Sequence, residues 1–123
     1  MNPAMTQLCV EVLPDGLTVR LTQPFTVWLG EEIIVVPAGT ETDFASVPRA
    51  LWRILPPWGK YSPAAVVHDY LYDSGIMTRA EADQVFLDLM KALGVPYLTR
   101  YAMYWGVRAG GWVSWNKCRE AGA

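Results

Sequence analysis

Basic residues are not in excess: Lys and Arg number 10 against 12 Asp and Glu, for a net charge of -2. A phosphate backbone is held by a surplus of cations, so nucleic acid is not an expected partner. Cysteine is nearly absent. Cys9 and Cys118 stand near opposite ends, without the close spacing of a zinc site or a disulfide framework. Two reduced, half-buried thiols are the simpler reading, and a bridge between the ends is the alternative. Long apolar runs are missing too. Stretches such as Leu21 to Gly30 fall well short of the ~18 residues of a membrane span. Met1 to Cys9 has no basic segment leading into an apolar one, so no secretory signal is expected. Histidine occurs once, at His68.

What is abundant is apolar mass. Hydrophobic residues make up 52% of the 123 positions and charged ones 18%, which excludes a disordered chain and suits a single domain over 1–123. The first third alternates as strands do. Leu8, Val10 and Val12 face Leu17, Val19 and Leu21 across the turn signal Pro14-Asp15-Gly16. Phe25 to Leu29 and Ile33 to Val36 form a second hairpin around Gly30-Glu31-Glu32. The remainder has helical spacing. Ser46 caps a short helix over Val47 to Leu55, stopped by Pro56-Pro57. Ser62-Pro63 opens a helix to about Asp73. Thr78 and Glu81 form a capping box for a helix to Leu93, ended by Gly94. Pro96 opens a last helix over Tyr97 to Lys117, with Gly110-Gly111 as its weak point. Strands first and helices after predict an α+β fold: an antiparallel sheet of about four strands followed by three to four helices, two of them an antiparallel pair.

The chemistry concentrates around His68. Ala65, His68 and Tyr72 are three and four residues apart and share a helix face, with Asp69 on the adjoining stripe. On the following helix Ala82, Val85, Phe86, Leu89 and Leu93 form the apolar face, and Asp83 borders it. A carboxylate there either reaches water or has a buried partner. The short Ser74-to-Met77 connection makes the two helices antiparallel neighbours, which brings His68 and Asp83 within reach of each other. A carboxylate accepting one imidazole N–H leaves the other ring nitrogen as a general base. Tyr72 would orient the carboxylate, and Asp69 would hold a hard cation together with loop carbonyls. The competing reading is a satisfied polar group in a core, with no chemistry at all.

A second cluster of candidates precedes it. Asp43 is read first as a capping side chain and second as another carboxylate of a metal or acid–base group beside His68. Arg49 either pairs with Asp43 or Asp69 or binds an anionic substrate, and Trp58 is a further substrate-contact candidate. Ser46 lacks the strand–turn–helix setting of a nucleophilic serine. On the last helix Tyr97, Tyr101, Tyr104, Trp105, Arg108, Trp112 and Trp115 make one broad stripe, expected to be mostly core. Any exposed part would serve as a subunit contact or a lipid anchor.

His68-Asp69-x-x-Tyr72 followed by Ala82-Asp83-x-x-Phe86 resembles the core of secreted and parvovirus-capsid phospholipases A2. The resemblance implies that His68 activates water, Asp69 binds calcium, and Asp83 with Tyr72 holds the histidine. Where that superfamily has a glycine-rich calcium loop, this chain has Leu55-Pro56-Pro57-Trp58-Gly59-Lys60-Tyr61. A longer string is similar to a small single-domain family of undefined function common in tailed bacteriophages and prophages. It comprises Thr42-Asp-Phe-Ala-Ser-Val-Pro-Arg49, Pro56-Pro-Trp-Gly59, His68-Asp-Tyr-Leu-Tyr72, Ala82-Asp83 and Phe86. That likeness implies synthesis in the host cytoplasm, a place in the virion or in lysis, and phage structural proteins or a second copy as partners. Two functions are therefore expected: a phospholipase A2-like ester hydrolase acting on a lipid surface, or a non-catalytic tail or capsid accessory protein.

Overall fold

The computed structural model describes residues 4–43 and 62–121. The expected helix over Val47 to Leu55, together with Arg49 and Trp58, lies outside the described residues. The chain divides into two compact units, Met1–Asp43 and Phe44–Ala123.

Among the described residues the regular elements of the first unit are all strands. β1 (Ala4–Met5), β2 (Val10–Val12), β3 (Val19–Leu21), β4 (Phe25–Leu29), β5 (Glu32–Val36) and β6 (Glu41–Thr42) form two antiparallel sheets, ordered β1-β4-β5 and β2-β3-β6. Both expected hairpins are present. In the longer one Phe25 pairs with Val36 and Val27 with Ile34, and all four side chains are buried. Its two-residue turn places Gly30 at φ +62°, a conformation that glycine adopts without a Cβ penalty. The shorter hairpin turns on Asp15, whose carboxylate accepts from the Leu17 and Thr18 amides and the Thr18 hydroxyl at 2.6–2.9 Å. One sheet of about four strands was expected, and the difference has a simple cause. β1 and β6 are two residues long, too short for alternation to mark.

The second unit is all helix among the described residues: α1 (Ser62–Ser74), α2 (Arg79–Ala92), α3 (Tyr97–Gly110) and α4 (Trp112–Ala121). Thr78 caps α2 in a reciprocal box with Glu81. At its other end Val95 N–H donates to Met90 O and Gly94 N–H to Lys91 O, with Gly94 at φ +76°, which satisfies the last carbonyls. α1 packs against α2 and α4, and α2 against α3. The expected long last helix divides at Gly111. Its aromatic stripe is not the core that the sequence suggests. α3 buries Met103 and Val107, while Tyr97, Trp105 and Trp112 are exposed. Helical spacing identifies which residues share a face, but here the aliphatic face was the one covered.

Candidate functional site

Ala64, Ala65, Val66 and Val67, four consecutive residues of α1, are all fully buried or nearly so. His68 and Asp83 follow them inside, with no accessible side-chain surface. His68 Nε2 lies 2.6 Å from Asp83 Oδ1. The Tyr72 hydroxyl donates to the same oxygen, also at 2.6 Å. Arg108 Nη1, from α3, donates to Oδ2 at 2.8 Å, and Arg79 Nη1 stands 3.6 Å from that oxygen, one turn before Asp83 on α2. Both carboxylate oxygens are thus occupied by donors from three helices.

The electrostatics follow from that crowding. Burial acts to raise the Asp83 carboxyl, but the interactions with His68, Tyr72 and Arg108 outweigh it and hold it below the usual carboxylate range. Asp83 is therefore ionised and can only accept. The proton in its bond with His68 belongs to the ring, so Nε2 is the protonated nitrogen. Burial, and next the hydrogen bond and charge of Asp83, push the Tyr72 hydroxyl well above the ordinary tyrosine range. Rings wall the imidazole: the Tyr72 and Phe86 centroids lie 4.3 and 4.6 Å from that of His68. Trp115 meets Tyr72 edge-on at 5.3 Å. At Gly111 a Cβ would stand 2.5 Å from the Tyr72 hydroxyl, so only glycine fits where α3 gives way to α4.

The structure thus brings together three of the expected residues, His68, Asp83 and Tyr72. Asp69 follows His68 on α1 and is half-buried, as is Asp43 at the end of the first unit. Among the described residues no group of three or more His, Cys, Asp or Glu side chains stands together as a metal site. Cys9 and Cys118 are not disulfide-bonded, and both are half-buried.

Sequence reasoning gave the two arginines of the cluster no part in the site. Arg79 had a local signal, being four residues ahead of Asp83. Arg108 had none, because it arrives from another helix. Arg79 also donates to the Val107 and Arg108 carbonyls at 3.1–3.3 Å and so tethers α2 to the end of α3. Arg119 was missed as well. Its Nη2 donates to the Tyr72 and Asp73 carbonyls at 2.6 and 3.0 Å, capping the C-terminal end of α1.

The fold and this cluster define the class: a small α+β protein with a His–Asp–Tyr–Arg network buried between helices. The chain belongs to the DUF1353 family of proteins of unknown function, whose model matches residues 19–107. Two uncharacterized proteins of Sinorhizobium fredii (strain NBRC 101917 / NGR234) are similar to it. The protein y4jT is 40% identical over 74 residues, 58% of this chain and 22% of that protein. The protein y4iH is 40% identical over 86 residues, 64% of this chain and 36% of its own length. The chain thus spans between about a fifth and about a third of the curated relatives that it matches. No solved structure matches it.

Proposed function

We propose that the protein is a phage- or prophage-encoded ester hydrolase of the phospholipase A2 type, with His68 as its base. One observation carries the reading: His68 Nε2 and the Tyr72 hydroxyl converge on the single ionised carboxylate of Asp83. That convergence commits the Nε2 proton and gives any base chemistry to Nδ1. In the step, which requires a local opening that admits water and ester to the fully buried ring, Nδ1 takes a proton from water while the oxygen bonds to the ester carbonyl carbon. The C–O bond to the leaving alcohol then breaks, and the imidazolium returns its proton to that alkoxide. Asp83, held ionised by Arg108, stabilises the transient imidazolium without itself taking the proton. Tyr72 keeps Asp83 in place. Calcium belongs to the reading only through Asp69, which would supply one carboxylate ligand to the ion; the chemistry the ion would supply there is polarisation of the ester carbonyl. Arg49 and Trp58 remain the substrate-contact candidates.

A second reading rests on a different observation. His68 and Asp83 have no accessible surface, and four donors surround the carboxylate. A sealed, saturated network can simply lock three helices together. The protein would then be a tail or capsid accessory component.

The deciding experiment is turnover on phospholipid vesicles and short-chain esters, with and without calcium. The hydrolase reading expects product release that His68→Ala abolishes, with the variant's thermal unfolding still cooperative. His68→Asn serves should the alanine variant unfold. Absence of turnover by the wild-type chain on every substrate removes this reading. The accessory reading expects a fixed copy number in purified virions, and absence there by mass spectrometry removes it.

A further inference from the structure

We propose that the outward face of α3 and α4 is a docking surface for an anionic lipid bilayer, centred on Leu98, Trp105 and Trp112. These residues recur every seven positions. Gly111, between the helices, keeps helical angles of φ -67° and ψ -17°, so the row continues across the junction. Leu98 is 81% exposed, Trp105 64% and Trp112 54%. Ala102 and Ala109 lie on the same stripe and are exposed, and Val113 adjoins it. Met103 and Val107, which are buried, lie on the opposite side. A helix face turned to water is normally charged, and this one carries no charge from Leu98 to Val113. Single exposed apolar residues need no explanation, but a continuous row marks a contact surface.

Charge selects the occupant. α3 and α4 carry four basic residues, Arg100, Arg108, Lys117 and Arg119, against one acidic one, Glu120; Arg108 is paired with Asp83 and Arg119 caps α1, so Arg100 and Lys117, with Lys91 of α2, are the cations this face offers. The chain as a whole is acidic, so the remainder carries the excess of negative charge. At one end of the stripe Lys91 lies 5.9 Å from the Tyr101 ring, and Arg100 lies 5.4 and 5.7 Å from the Tyr97 and Tyr101 rings. Towards the other end Lys117 is exposed. A second copy docked about a two-fold axis would set basic flank against basic flank. A bilayer with anionic headgroups suits both features. Indole and phenol rings lie at the headgroup boundary with their polar tips in water, and lysine and arginine heads meet lipid phosphates. The surface is separate from the buried His68 cluster, and the proposal does not depend on any hydrolysis.

The test uses the whole chain with phosphatidylcholine vesicles, with and without phosphatidylglycerol. Binding is read by co-sedimentation and by tryptophan emission. Wild-type protein should bind the phosphatidylglycerol vesicles more tightly, shift its emission to the blue, and lose affinity as salt rises. The triple variant Leu98→Gln/Trp105→Gln/Trp112→Gln should keep a cooperative melt and bind about tenfold more weakly or worse. Three outcomes overturn the proposal: no binding to phosphatidylglycerol vesicles, undiminished binding by the folded triple variant, or a wild-type dimer that the triple variant abolishes. Should the triple variant fail to fold, Trp105→Gln alone carries the same comparison.

Discussion

Each unit holds one charge between two of the opposite sign, and the two arrangements differ in their access to water and in the two further partners, His68 and Tyr72, that Asp83 has. In the strand unit Arg20 faces Glu11 at 3.0 Å and Glu41 at 3.6 Å, on strands that register places on either side of it. In the helical unit Asp83 faces Arg108 at 2.8 Å and Arg79 at 3.6 Å. The distances are nearly the same. Arg20 and both of its partners are exposed, whereas Asp83 has no accessible surface. Water replaces a lost partner at the first site. At the second nothing does for the carboxylate, and of its partners Arg79 and Arg108 keep some access to water while His68 is sealed in with it. Solvent, rather than separation, sets what a charge cluster contributes.

The largest effect is therefore expected from Asp83→Ala. It leaves His68, Tyr72 and Arg108 without their acceptor inside the helical unit. Urea unfolding should show a loss of about 3–5 kcal/mol. A loss below about 1 kcal/mol would mean that water reaches the cluster after all, and the comparison would fail. Next comes Gly111→Ala. Gly111 has helical backbone angles, and by helix propensity alone alanine would stabilise it by about 1 kcal/mol. The opposite sign is expected, because the new Cβ would stand 2.5 Å from both the Tyr72 hydroxyl and the Val107 carbonyl oxygen. Overpacking of that kind should cost about 1–3 kcal/mol in the same measurement.

The two regions were not equally legible in the sequence. Turn residues and alternation located both hairpins, because Asp15-Gly16 and Gly30 dictate local geometry that neighbours do not alter. Helical spacing and a short connection were enough to bring His68, Tyr72 and Asp83 together across α1 and α2. Arg108 escaped because it stands 25 residues after Asp83, on a helix whose placement no local pattern specifies. The aromatic stripe of α3 was misjudged for a related reason. Amphipathic spacing sorts residues onto faces, but which face is covered depends on neighbours that periodicity does not describe. β1 and β6 were missed because two residues cannot display a period.

Tyr72→Phe tests the cluster more gently. It removes one of the two bonds to Asp83 Oδ1 and should lower stability by about 1–2 kcal/mol at neutral pH. Its pH dependence sharpens the point. The Asp83 carboxyl is held below its ordinary 3.8, so its contribution is present above that value and is lost as pH falls through the lowered folded-state value. Without Tyr72 the depression shrinks, so the loss of stability on acidification should be smaller. The Tyr72 hydroxyl is raised from its ordinary 10.0, so its contribution is intact below that pH and fades as pH rises through the higher folded-state value. The phenylalanine variant should lack that alkaline component. Equal acid and alkaline profiles for the two proteins would show that the hydroxyl does not act on Asp83.

The smallest effect is expected at the mirror-image site. Arg20→Gln removes the cation between Glu11 and Glu41 but keeps a long polar side chain at a position that already meets water. The two glutamates it leaves behind remain hydrated, so no buried charge is stranded, and the β3 backbone pairing with β2 and β6 is unchanged. The loss should stay within about 0.5 kcal/mol, and it should vanish in about 1 M sodium chloride, where surface charges are screened within a few ångströms. A salt-insensitive loss of about 2 kcal/mol or more would place this surface pair among the well-desolvated ones. The contrast with Asp83 would then have to rest on hydrogen-bond count, since access to water would no longer separate the two sites.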